Sequence, residues 1–267
     1  MTATQGLLLG LIQGLTEFLP VSSSGHLILV PRLLGWPDQG LAFDAVIHLG
    51  TLIALVAYFK EELWQITVGL VKAERGGRRL LGLLVVGTIP AGIVGALAGE
   101  AIEAHLRRPA VVAGSLIGWA LIMWIVDYST SRGGQKVTRV TEVNWRQSLL
   151  VGVAQAIALV PGTSRSGVTI TAGQMSRMGR AMAARFSFLL GIPITAAAGS
   201  VKALELLRHG APAGETAPLL LGLVAAAASG FAAVWFLVQY LQGHSLTLFV
   251  IYRLILGGII LLLLGFQ

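Results

Sequence analysis

Gln13 to His26 reads Gln-Gly-Leu-Thr-Glu-Phe-Leu-Pro-Val-Ser-Ser-Ser-Gly-His and sets a carboxylate, three consecutive hydroxyls and an imidazole inside an otherwise apolar run. Gln13 and Glu17 are four residues apart, which on a helix puts them on one face about a turn from each other. A carboxylate there can act as a base, hold a divalent cation or pair with a cation. Ser22, Ser23, Ser24 and Gly25 precede a helical piece, where hydroxyls, unpaired N–H groups and the helix dipole together form an anion pocket. His26 has the chemistry of a general acid or base, or of a nucleophile.

The stretch has an echo. A shift of 142 positions lays Gln13 on Gln155, Ser22 on Ser164, Ser24 on Ser166 and Gly25 on Gly167. The second copy ends in Pro161-Gly-Thr-Ser-Arg-Ser-Gly167 and supplies Arg165 where the first has Ser23. A guanidinium presents a planar fork suited to bidentate contact with phosphate. Asp44 and His48, four apart in the next apolar segment, suit either a ligand pair or a simple hydrogen-bonded pair. Arg253 lies in the last apolar segment, needs a partner or an interface at that depth, and reads as structural.

Composition explains why such groups stand out. The chain has 267 residues, 55% of them hydrophobic and only 12% charged, with a mean hydropathy of +0.80. A soluble domain carries about a quarter charged residues, so the sequence reads as a polytopic membrane protein. Unpartnered polar groups at membrane depth cost roughly several kcal/mol each and are retained mainly for function. The net charge of +7 comes from loops between apolar spans, which membrane topology and anionic lipid headgroups explain without nucleic acid. Without cysteine, thiolate chemistry and disulfides are excluded. The first residues lack the basic start of a signal peptide, so the first apolar stretch is expected to stay in place.

The elements that must position these groups follow from the apolar pattern. Two short apolar pieces flank the break at Pro20 to Gly25 and form an expected re-entrant hairpin over residues 7–34; a second covers 147–176, broken at Pro161 to Gly167. Full spans are expected over 42–59, 80–99, 109–127, 183–207, 218–241 and 245–266. Lys60 to Arg79 reads as a loop, and Tyr128 to Arg146 as the polar linker between halves. The expected fold is an all-α integral membrane protein with two inverted repeats, 1–128 and 147–267, joined by a cytoplasmic linker over 129–146. Each half is one hairpin plus three spans, and an odd number inverts the second half so that the breaks meet near the midplane.

Loop charge orients the chain. One side collects the 60–79 loop, the linker, Arg177, Arg180 and Arg185, twelve basic residues in all; the other has Arg32, Arg107, Arg108, Lys202 and Arg208. The first side is expected to be cytoplasmic, with both termini and the Gln13–His26 hairpin opening to the outside. Such a pocket fits either an enzyme acting on a lipid phosphate or a carrier of an anionic solute. Inverted repeats with broken helices also build transporters and flippases, but a carrier needs no nucleophile or base. A scaffold would leave the intramembrane polar groups unexplained.

The two long motifs, together with Phe43-Asp44 through Leu49-Gly-Thr and Thr88-Ile-Pro-Ala, resemble the undecaprenyl pyrophosphate phosphatase family of bacitracin-resistance type over nearly the whole chain. The resemblance implies a bacterial inner-membrane enzyme, opening to the periplasm or exterior, that removes the terminal phosphate of undecaprenyl diphosphate. Its product is the lipid carrier recycled for wall polymers. It also implies a divalent ion, Mg²⁺ or Ca²⁺; a polyprenyl diphosphate and membrane lipids are the expected partners, and a homodimer is possible. Carried over, the catalytic residues are Glu17, Ser23, His26 and Arg165. The phosphate-binding residues are Ser22, Ser24, Gly25, Ser164, Ser166 and Gly167, and the metal ligands are Glu17 and Gln13. A glutamine is no anionic ligand, which puts the burden on Glu17, and His48 stands where the family more often has Gln.

Overall fold

In a computed structural model, which describes residues 1–131, 136–209 and 215–265, the chain is built from α-helices. Arg132, Phe266 and the side chains of Lys202 and Arg208 lie outside the described residues. Two pairs of short helices carry the motifs. The first pair is α1 (Ala3–Phe18) and α2 (Ser23–Leu33), and the second is α7 (Trp145–Ile157) and α8 (Arg165–Met175). Thr2 caps α1 in a reciprocal box with Gln5, and Asn144 caps α7 the same way with Gln147; both boxes satisfy N–H groups that a helix start leaves orphaned. These helices are too short to cross a bilayer alone.

Long apolar helices surround them: α3 (Gly40–Tyr58), α5 (Arg75–Leu106), α6 (Pro109–Ser131), α9 (Arg180–His209), α10 (Thr216–Gly243) and α11 (Thr247–Gly265). Five of them are long and apolar enough to cross a membrane by themselves, and α3 adds a sixth if joined to its successor across a 73° bend. Their outward faces carry large apolar side chains such as Leu97, Trp124, Ile125, Val224, Trp235 and Leu262. Lipid tails cover such faces at no cost. The molecule is a multi-pass membrane protein.

The structure revises some of the expected boundaries. The expected loop over 60–79 is mostly helix, α4 (Lys60–Val71). It is amphipathic, burying Glu62, Ile66 and Gly69, with Glu62 meeting Arg185 and Gly69 seated against Gly77 of α5. Helix α5 starts at Arg75 and continues to Leu106, so the polar residues after Gly99 belong to its last turns. Within the expected linker, α6 persists to Ser131, and a 3₁₀ turn over Val140–Glu142 precedes α7. Arg79 anchors that turn by donating to the carbonyls of Thr141 and Val143.

Close helix packing through glycine sets the site's frame. Gly6, Gly10 and Gly14 line one face of α1 against Pro218, Gly222 and Ala226 of α10; a Cβ on any of them would come within 2.5 Å of an α10 backbone oxygen. Gly152 of α7 lies as closely on the Gly87 carbonyl of α5. Without a hydrophobic effect between helices in lipid, such small-residue seams supply the van der Waals contact that holds helices together.

Candidate functional site

The first residues of α2 and α8 face one cavity of about 480 Å³, lined by Glu17, Ser22, Ser23, Ser24, Asp44, His48, Ser164 and Arg165 together with Thr195 and Gly199 of α9. Both helices begin with a serine in a conformation that side chains avoid: φ +74° at Ser22 and +71° at Ser164. A non-glycine residue there costs about 1–3 kcal/mol, and such strain concentrates at functional sites. In each case the serine Oγ accepts the N–H of the glycine three residues on, Gly25 at 3.4 Å and Gly167 at 3.2 Å. Each Oγ also lies 3.2 Å from the serine hydroxyl two residues on, Ser24 or Ser166.

The breaks are stitched across to each other. Ser24 Oγ accepts the N–H of Gly162 at 3.3 Å, and Ser166 Oγ donates to the Leu19 carbonyl at 3.2 Å. Gly162 adopts φ +86°, and a Cβ on it would fall 2.5 Å from the Val112 carbonyl. Only glycine fits that turn.

At the cavity's centre, Glu17 collects donors from both hairpins. Ser23 Oγ donates to Glu17 Oε2 at 2.7 Å, Gln13 Nε2 to the same oxygen at 3.2 Å, and Arg165 Nη2 to Oε1 at 2.9 Å. His48 Nε2 lies 3.8 Å from Oε2. The carboxylate is buried, at 9% exposure, so each of these contacts is worth more than it would be in water. Ser23 is a hydroxyl against a base, the base is held by a third group, and a guanidinium stands alongside; this is the arrangement of an activated nucleophile.

The remaining candidates take other places. Gln13 is fully buried behind Glu17, with its Oε1 unpartnered. His26 is turned away from the cavity: Nδ1 lies 2.8 Å from the Ser22 carbonyl and Nε2 2.6 Å from the Tyr252 hydroxyl. Since a carbonyl only accepts, Nδ1 carries the proton, and a neutral ring then accepts from Tyr252 at Nε2. Asp44 takes Gln39 Nε2 at 2.9 Å and Arg107 Nη2 at 3.4 Å. It lines both the central cavity and an adjoining one of about 290 Å³ that contains Arg107.

Two contributors carried no motif. Gly191 of α9 lies directly under Arg165, where a Cβ would overlap Nη1 at 1.7 Å. Its signal in the sequence, a glycine two residues before Pro193 in an apolar helix, is indistinguishable from packing. Arg253 of α11 is wholly buried and, as expected, structural, but among the described residues it bonds only to carbonyls. It donates to Pro20 in the first break, Gly162 and Thr163 in the second, and Ser115 and Leu116 in α6.

For a divalent ion, the described residues contain no group of three or more His, Cys, Asp or Glu side chains that could form a cage. On the cavity the oxygen ligand is the Glu17 carboxylate; Gln13 turns Nε2, not its unpartnered Oε1, toward it. That carboxylate fits a hard cation of the Mg²⁺ kind, which is held by one or two carboxylates and completed by substrate phosphate and water.

Comparison with known proteins gives the following. The family described as bacitracin resistance protein BacA matches residues 6–259. The chain is 47% identical to undecaprenyl-diphosphatase 2 of Stutzerimonas stutzeri, over 98% of each chain. It is 44% identical to the undecaprenyl-diphosphatase of Geobacter metallireducens, again over 98% of both. It is 47% identical to that of Geobacter sulfurreducens over 95% of both.

Proposed function

The chain belongs to the bacitracin resistance protein family and hydrolyses undecaprenyl diphosphate, and from that premise we propose that Ser23, Glu17 and Arg165 carry out the reaction. The observation that carries this reading is the meeting of Ser23 Oγ and Arg165 Nη2 on the two oxygens of one buried carboxylate. Ser23 Oγ attacks the terminal phosphorus while Glu17 takes its proton. The anhydride P–O bond breaks, and undecaprenyl phosphate leaves. Glu17 passes that proton to the departing undecaprenyl phosphate, takes one from the water that attacks the phosphoserine, and returns it to Ser23 Oγ as inorganic phosphate is released.

Arg165 exchanges part of its hold on Glu17 for the terminal phosphate and offsets the charge that develops on it. Its Nη1 is buried against Gly191 without a hydrogen-bond partner. Ser22, Ser24, Ser164 and Ser166, with the Gly25 and Gly167 amides, shape the phosphate cradle where the positive ends of α2 and α8 converge. His26 holds the strained turn through the Ser22 carbonyl and moves no proton. Glu17 would hold a divalent ion, which when bound would neutralise diphosphate charge as a Lewis acid, and Gln13 would join it only with its amide turned over.

The two halves, 1–128 and 147–267, act as inverted repeats in this reading, with 129–146 as linker. Reciprocal packing supports it: α1 of the first half packs on α10 of the second, and α7 of the second on α5 of the first. The cavity and both termini face the exterior of the bacterial inner membrane. In this reading the Asp127–Arg180 and Glu62–Arg185 pairs, and Arg139 just before the 3₁₀ turn, belong to the cytoplasmic end.

The test is phosphate release by purified protein from a long-chain polyprenyl diphosphate, with and without chelator, comparing wild type with Ser23→Ala and Glu17→Ala. Chelator-sensitive release that collapses in both variants is the expected result. Wild-type-like turnover in Ser23→Ala would transfer the attack to water. Failure of folded wild type to release phosphate with any ion would sink the enzyme reading.

A further inference from the structure

At the far end of α5 from the candidate site lies a cavity of about 850 Å³ that the phosphatase reaction does not use. Arg107, just past the C-terminus of α5, belongs to the cavity beside Asp44, whereas Arg75 and Arg79, in the first turns of the same helix, line the distant one. At 1.5 Å per residue, the 28 residues from Arg79 to Arg107 cover about 42 Å, the thickness of a bilayer with its headgroups.

Four guanidiniums converge on this cavity from separate elements: Arg75 and Arg79 of α5, Arg139 before the 3₁₀ turn, and Arg185 of α9, against the carboxylates of Glu62 and Glu74. Glu62 is already committed to Arg185, and Arg79 to carbonyls. Arg75 and Arg139 are exposed and have no ion-pair partner among the described residues. The first turn of α5 opens into the same space: Glu74 at its N-cap makes no side-chain cap, and beyond Gly76 lies open room. The floor is apolar, made by Leu80, Leu83 and Met182, with Leu80 and Leu83 in the first turns of the candidate span Arg75–Ile102.

A cationic rim over an apolar floor at the membrane boundary is the complement of a phosphodiester carrying a glycerol and acyl chains. Basic pockets between membrane helices on the cytoplasmic side take anionic headgroups in this way. We propose that this cavity is a binding site for a phosphate group on the membrane face opposite the active site, supplied by an anionic phospholipid or by free phosphate.

The test uses the purified full chain in detergent. Native mass spectrometry follows retention of added phosphatidylglycerol against phosphatidylcholine, and calorimetry follows inorganic phosphate. The variants are the double substitution Arg75→Gln/Arg139→Gln and, separately, Gln65→Glu, which puts a negative charge on the rim without removing a contact of the active site. Wild type is expected to favour phosphatidylglycerol by about tenfold, and both variants to lose most of that preference, because each basic group near the surface contributes on the order of 1 kcal/mol to anionic lipid binding. Turnover on polyprenyl diphosphate and helical circular dichroism stay unchanged. Binding of inorganic phosphate that the variants abolish, without lipid preference, assigns the site to the soluble anion. No preference for either probe, or a preference equal in wild type and variants, overturns the proposal.

Discussion

Glu17 serves Ser23 through one oxygen and Arg165 through the other, so the proposed mechanism makes distinct claims about each residue. Glu17→Gln keeps the shape but removes the base; single-turnover assays should show kcat reduced by about 10²–10⁴-fold, the usual worth of a positioned base. Arg165→Ala should lose roughly 2–4 kcal/mol of transition-state stabilisation, read from kcat/KM. Arg165→Lys should recover little of it, because an ammonium has no planar fork to share between Glu17 and a phosphate. His26→Gln should retain most of its kcat while lowering thermal stability, since Gln can still donate to the Ser22 carbonyl. A collapse of kcat in well-folded His26→Gln protein would return the histidine to the chemistry.

At the level of elements, the site depends on how four helices hold two breaks. Arg165 lies against Gly191, and the helix α9 that carries Gly191 touches no part of either motif in sequence. Gly191→Ala should therefore displace the guanidinium and reduce phosphate release at least tenfold, with the fold intact by circular dichroism; activity equal to wild type would mean that Arg165 functions from another position. Arg253 ties α11 and α6 to both breaks through carbonyl oxygens alone. A lysine there keeps the charge but cannot span acceptors on separate segments. Arg253→Lys should lower the midpoint of thermal unfolding in detergent and lower kcat with it, because unsatisfied buried carbonyls cost about 1–3 kcal/mol each.

At the scale of the whole molecule, the proposed orientation and the two halves are each testable by single substitutions. Because the chain contains no cysteine, single introduced thiols report topology directly. Asp38→Cys should react with an impermeant maleimide in intact cells, and Lys72→Cys only after permeabilisation. Reversal of that pattern would turn the active site to the cytoplasm. The glycine seam between α1 and α10 joins the proposed halves, so Gly10→Leu should prevent assembly of the cavity altogether, with loss of protein from the membrane fraction.

Much of this was legible in the sequence because lipid simplifies the reading. Apolar length reports spans, and a polar cluster at membrane depth reports a site; the Gln13–His26 motif and its echo at Gln155–Gly167 were therefore visible as broken helices carrying acid, hydroxyls and guanidinium. Helix α4 was not, because an amphipathic helix with charged residues on its outer face has the composition of a loop. Nor were the roles within the motif. Spacing along the chain, six residues from Glu17 to Ser23 and nine to His26, does not choose between them, yet helix geometry turns Ser23 onto the carboxylate and His26 onto Tyr252. The contact between Glu17 and Arg165 spans 148 positions, and Gly191 matters only through the space it leaves. The sequence by itself determined which chemical groups are present and that they sit in membrane-embedded helix breaks, because composition and periodicity are local. Only the tertiary structure decided which of those groups touch, because contact between distant segments depends on how helices pack, and close packing here turns on glycines whose contribution is an absence of atoms.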